Sequence, residues 1–287
     1  MSIAKKIALA LAIVGVLILG AVVWFFAAFY ISMERGEARG RQLREELRSG
    51  KADFGENPEL FAVAQAIVKN DQDAIRAAAK AVPDLQTPGR EGATLLYFAV
   101  TQSWQRPELV EAVRTLLSLG ADPNYTNGQA RSFAMAAAVH SSSAVLQAML
   151  DAGGNPNGRD EFGRPIILMT WYLGYYKQDE RTRVRLLLDR GADVNATMPE
   201  RNSEEDGYSL LLYRLQSADY DSNAYTDAIY LLDRGADPSR AGRDGMTFAK
   251  MLARDQANFS RKQIAPPWQF TALVEWAQSH GVISAKP

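Results

Sequence analysis

The sequence predicts an all-α repeat solenoid behind one N-terminal transmembrane helix, and three observations carry that prediction. Four phrases recur: LLSLGADPN ending at Asn124, MLDAGGNPN ending at Asn157, LLLDRGADVN ending at Asn195 and LLDRGADPS ending at Ser239. Each reads as the last turn of an apolar helix stopped by glycine, which accepts the left-handed φ of a helix C-cap. Where no insertion intervenes, the phrases fall on a 33-residue period, the mark of units that bury a core only by stacking. The third observation is an uncharged run from Ile7 to Ile31.

Composition narrows the function classes. Apolar residues at 47% supply a core, and a net charge of −1 gives no global field to gather nucleic acid. The chain has no cysteine, so disulfides, thiolate metal sites and cysteine nucleophiles are excluded. That absence fits an oxidising compartment better than the cytosol.

In chain order, residues 1–6 are a short tail carrying Lys5 and Lys6, and 7–31 are the transmembrane helix. About 20 apolar residues cross a bilayer, and the closing Trp24, Phe25, Phe26, Phe29 and Tyr30 suit an interfacial belt. The rival, a cleaved signal peptide, has an apolar region of about 7–15 residues ending in small ones; this run is longer and ends bulky. Orientation is contested. Basic residues from Arg35 to Lys51 favour a cytoplasmic domain, while the short N-terminal tail and the missing cysteines favour an exported one. The expectation is a single-pass inner-membrane protein with a periplasmic repeat domain, the cytoplasm being the alternative. Residues 32–57 read as a charged, frayed helical stalk, because Gly36 and Gly40 each cost a helix roughly 1 kcal/mol against alanine.

The repeat domain spans 58–283, with 284–287 as a tail. The unit starting at Ser132 sets the standard: FAMAAAV is a first helix, Ser141–Ser143 a turn and AVLQAMLDA a second helix. Gly153 stops it 21 residues on, and Pro165 opens the next unit 33 residues on. Other units start near Phe61, Thr94, Ser209 and Thr247. Insertions are expected between the helices near Gln102–Pro107, Gly174–Glu180 and Ala218–Thr226, and within the hairpin ATMPERNSEEDG. In the last unit NFSRKQIAPP is expected to interrupt the pattern before a final helix, WQFTALVEWAQSH.

Two short helices and a turn every 33 residues resemble the ankyrin repeat. GREGATLLYFA at 89–99 looks like that family's G-x-T-P-L-H-x-A opening, and GADPN, GADVN and GADPS look like its G-A-D closing. The Pro-Leu-His of the opening is lost throughout, its histidine position being Tyr97, Met135, Leu168, Leu212 and Lys250. Apolar packing is expected to replace the ties between hairpins that this histidine makes.

Chemistry is scarce. His140 lies in the VHSSS turn and His280 precedes the capping Gly281. A Ser–His–Asp set built on Ser141–Ser143 is set aside, since sequence neighbours rarely supply triad geometry. The aspartates of the closing phrases recur one per unit and read as turn caps, not metal ligands. No cofactor, metal, nucleic acid or small-molecule substrate is implied.

The resemblance implies a non-catalytic protein-binding module, using hairpin tips and first helices along the concave face. Carried over unit by unit, it implies contacts at Phe98, Met169, Tyr172 and Tyr213 on first helices and at Arg131, Phe162, Arg164, Asp206 and Tyr208 on tips. Tyr175, Tyr176, Tyr220 and Tyr225 offer a second surface at the far end of the helices. By analogy of layout, the expected role is an immunity or inhibitor protein for a toxic effector. The alternative is an envelope scaffold or accessory factor for a resident enzyme.

Overall fold

The structure is a computed structural model that describes residues 33, 37, 39–170, 179–199 and 206–284. It divides into Met1–Ala52 and Asp53–Pro287. In the first part residues 39–48 are helical, with an i,i+4 hydrogen bond from Gln42 to Glu46 at 3.1 Å.

Among the described residues the second part is a stack of six helix pairs: α1 (Pro58–Val68) with α2 (Gln72–Ala79), α3 (Leu95–Gln102) with α4 (Val110–Ser118), and α5 (Ala134–Ala138) with α6 (Ser143–Asp151). Then follow α7 (Ile166–Met169) with α8 (Glu180–Asp189), α9 (Leu210–Gln216) with α10 (Asn223–Asp233), and α11 (Phe248–Lys262) with α12 (Trp268–Ser279). First helices stack on first helices from α1 to α11, and second helices follow suit along α2, α4, α6 and α8 and again from α10 to α12. The core is continuous through the stack. Alanines fill α5, where Ala134, Ala136, Ala137 and Ala138 are all buried and let the neighbouring helices approach closely.

Local chemistry sets the ends of each element. Thr94, Ser209 and Thr247, three of the expected unit starts, are N-caps whose hydroxyls accept from the amides of Tyr97, Leu212 and Lys250. At the other end Gly120, Gly153, Gly191 and Gly235 take φ of 98°, 90°, 87° and 90°. The amide of the following residue then reaches back five positions, as from Ala192 to the Leu187 carbonyl at 2.9 Å, closing a Schellman motif. The closing aspartates cap their turns: Asp122 Oδ1 accepts from the Asn124 amide and Asp193 Oδ1 from the Asn195 amide, each at 2.8 Å.

The expected replacement of the lost histidine ties by apolar packing is incomplete, because a ladder of asparagines also ties the units. Asn157 Nδ2 donates to the Gly191 carbonyl at 2.9 Å while its Oδ1 accepts from the Asp193 amide at 2.8 Å. Asn124 does the same to Gly153 and Asn155, and Asn195 to Gly235 and Asp237.

The fold expectation needs one correction. It placed a transmembrane helix over 7–31; that segment lies outside the described residues, and no helix among the described residues is long and apolar enough to cross a membrane. The described residues therefore support the all-helical array and give no support to the transmembrane helix expected before it. The insertions near Gln102–Pro107 and Ala218–Thr226 do lie between helices, partly as the 3-10 turns Pro107–Leu109 and Ser217–Asp219. The one near Gly174–Glu180 and the hairpin segment 200–205 fall mainly outside the described residues. NFSRK does not interrupt α11 but extends it, because Phe259 packs edge-on against Phe270 of α12 at 5.1 Å.

Candidate partner-binding face

Eight of the nine residues expected to meet a partner lie among the described residues, on hairpin tips and first helices, and the structure sorts them by what covers each side chain. Phe98 is 2% exposed, its ring 5.6 Å from Phe54 in a T-shaped pair. Phe54 comes from the end of the stretch read as stalk, where a short helix, Lys51–Phe54, closes, and its ring packs on that of Phe98. Met169 is 1% exposed at the end of α7. Both are core residues rather than contacts.

Asp206 and Tyr208 are corrected likewise. Asp206 is fully buried, accepting from Arg243 Nη1 at 3.0 Å. Tyr208 lies over Gly242, where an added Cβ would come within 2.4 Å of its ring, and its hydroxyl donates to Asp244 at 2.8 Å. These two residues join one hairpin to the next. Tyr213 is half-buried against the core. Tyr172 lies outside the described residues, as do Tyr175 and Tyr176. Tyr225, offered for the second surface, is buried, with its hydroxyl on Asp255 at 3.1 Å. Burial, then the Asp255 carboxylate, raises its pKa above the ordinary tyrosine value.

What the tips do present is built on Asp160, a residue the sequence reading passed over. Its buried carboxylate accepts from the Phe162 amide at 2.9 Å, the Arg164 amide at 2.8 Å and Arg164 Nε at 2.6 Å. The turn EFGR is thereby closed around one carboxylate, with Gly163 supplying a φ of 73°. Phe162 is left 45% exposed, with the Arg164 guanidinium 5.0 Å from its ring centroid. Such an Asp, two residues ahead of an aromatic and three ahead of a turn glycine, is the signal that could have found it.

The neighbouring tip is braced the same way. Arg131 is paired with the buried Asp53, its Nη2 donating at 2.7 Å. Burial raises the Asp53 pKa above the usual carboxylate value even with Arg131 opposing it. Tyr97 on α3 is half-buried and feels Arg131, Glu161 and Asp53. Burial, the larger cause, raises its pKa as well. Tyr97, Arg131, Glu161, Phe162 and Arg164 thus form one mixed aromatic and charged face across units 2 to 4.

The groups set aside as catalytic have structural partners. Ser141 shares a buried hydrogen bond with Ser103 at 2.8 Å, and Ser143 Oγ donates to Asp179 at 3.1 Å. His140 meets Trp104 edge to face at 6.2 Å. Burial, followed by the positive charges of Arg183 and Arg164, lowers its pKa to about 4. His280 stacks on Trp276 at 4.0 Å at the end of α12. Among the described residues no group of three or more His, Asp or Glu side chains is placed to hold a metal ion. The face can therefore supply stacking, cation–π contact, hydrogen bonds and charge, which are the means of recognition.

Comparison with known proteins agrees with this geometry. The ankyrin repeat family model matches residues 91–128. The ankyrin repeat protein EF0377 superposes with a TM-score of 0.56 at 18% identity, over 75% of this chain and 97% of its own. An ankyrin repeat domain from Acinetobacter baumannii AYE gives 0.57 at 19% identity, over 77% and 98%. The ankyrin repeat domain of Bcl-3, a member of the IkappaB family, gives 0.50 at 18% identity, over 75% and 81%. No curated protein matches the chain. At these identities the likeness is one of fold.

Proposed function

We propose that this chain, an ankyrin-repeat array, is a non-catalytic protein-binding module that grips one protein partner with the tips and first helices of units 2 to 4. The observation that carries the reading is the tip of unit 4, where a buried carboxylate holds Phe162 and Arg164 in a fixed, solvent-facing pair. Tyrosine, tryptophan and arginine anchor protein interfaces, and a side chain already held in place loses less freedom on binding. The narrower reading is stoichiometric inhibition of a toxic effector, with scaffolding of a resident enzyme as its rival. The missing cysteines support a periplasmic site of action.

The test is affinity purification with the full chain, followed by the same experiment on Phe162→Ala/Arg164→Ala. A single dominant partner lost from the double variant, at unchanged melting temperature, supports the face; full retention removes it. Inhibition and scaffolding separate genetically, because an immunity protein is required only while its toxin is made. A phosphatase reporter fused after residue 287 decides the compartment.

A further inference from the structure

The face just described lies at one end of the helix pairs; the turns joining first to second helices lie at the other. There, in units 5 and 6, Tyr220 is 83%, Trp268 70% and Ile264 51% exposed. The described residues of the array have only two other exposed large apolar side chains, Leu119 and Phe162. Gln269 Nε2 donates to Ser222 Oγ at 3.3 Å, so Trp268 and Tyr220 flank the hydrogen bond that joins the two turns. Ile264 sits in the same connector, between α11 and α12.

Each turn is held from behind. Arg214, with a 6% exposed side chain, reaches from α9 to Asp227 at 2.8 Å, to Ser217 Oγ at 2.5 Å and to Asp221. Both ends of the turn that displays Tyr220 are thus fixed by one buried guanidinium. In the other turn Gln263 takes a left-handed φ of 54°, rare for a side chain other than glycine, and the Ile264 amide closes onto the Phe259 carbonyl at 3.1 Å. The rim is basic. Arg261 and Lys262 are exposed in the last turn of α11, and no ion pair to either is found among the described residues; Arg261 donates only to Asn258, at 3.0 Å. Nearby Asp221 is neutralised by Arg214, leaving Asp219 as the exposed acid of the opposite turn.

The geometry points to a second, independent recognition surface, formed by Tyr220, Ile264 and Trp268 with Arg261 and Lys262. It is fitted to a protein segment that presents apolar side chains flanked by acids. An anionic lipid surface is the lesser match, because such surfaces are met by clusters of about four to eight cations and this rim has two. Preformed turns suit a partner of defined shape, since little ordering is left to do on binding.

The test selects a displayed library of random twelve-residue peptides against the full chain and synthesises the enriched sequence. Enrichment of aromatic or aliphatic residues beside Asp or Glu is expected. Binding of that peptide should weaken at least tenfold in Tyr220→Ala/Trp268→Ala and in Arg261→Glu/Lys262→Glu. It should be unchanged in Phe162→Ala/Arg164→Ala, which separates this surface from the tip face. The indole N–H resonance of Trp268, assigned with Trp268→Phe, should shift on titration. Peptides without acids, or a peptide indifferent to both variants of this surface, would overturn the proposal. So would failure of the acidic peptide alongside Trp268-dependent sedimentation with phosphatidylglycerol vesicles, which would make the surface a lipid contact.

Discussion

Gly154 shows how finely single positions are set. At the residue after the helix stop the other three closing phrases carry Ala121, Ala192 and Ala236, whereas this one carries a second glycine. A Cβ at Gly154 would lie 2.5 Å from Met135 Sδ and 2.7 Å from the Met149 carbonyl oxygen. The thioether can swing away but the backbone oxygen cannot, so Gly154→Ala should destabilise the array by about 1–3 kcal/mol. Gly153→Ala, with open space around it but a φ of 90°, should cost about 1 kcal/mol through strain alone. Urea titration of the two variants checks the order. His140 makes a prediction in pH. Its pKa falls from 6.5 when unfolded to about 4 when folded, so above pH 6.5 both states are neutral there. As pH drops towards 4 the unfolded chain takes up the proton first, and stability declines by up to about 3 kcal/mol before levelling. His140→Gln should flatten the stability profile between those limits; a profile that keeps its slope assigns the loss to other groups.

At the level of elements, legibility depended on how local the cause was. Helix stops such as Gly191 and unit starts such as Thr94 are decided within a few residues, and the sequence showed them. Phe98, Met169, Asp206 and Tyr208 looked like surface because repeat register says which way a side chain leaves its helix or tip, not what arrives to cover it. Phe98 is covered by Phe54, 44 positions earlier, and Asp206 by Arg243 of the next hairpin. The asparagine ladder was visible as letters, yet its partners are carbonyls one unit away, so its role required the stack. Asn157→Ala removes both bonds of one rung and should cost about 1–2 kcal/mol. Asn157→Asp, keeping the acceptor and losing the donor, should fall between. Equal stability of all three proteins in urea would show that water replaces the rung.

Across the whole array the seams are unequal. Second helices pack closely along α2, α4, α6 and α8 and again between α10 and α12, but the backbones of α8 and α10 stay further apart. That seam is bridged by side chains: Arg181 Nε to Asp227 at 2.6 Å, Arg234 to Asp189 at 2.8 Å, and Arg185 over the Tyr230 ring at 5.1 Å. Stacked repeats unfold together only while interfaces between neighbours outweigh the deficit of each unit alone. Arg181→Met/Arg234→Met should therefore split one unfolding transition into two, with amides of α9 to α12 exchanging hydrogen ahead of those in α1 to α6. Uniform exchange would show that the first-helix stack and the Asn195 rung suffice. The same seam governs how the molecule bears load. Pulled from its two ends, the array should give first between α8 and α10, where long side chains can lengthen before any helix unwinds. Added salt should lower the force at which that happens and leave the later, apolar steps of the extension trace where they were.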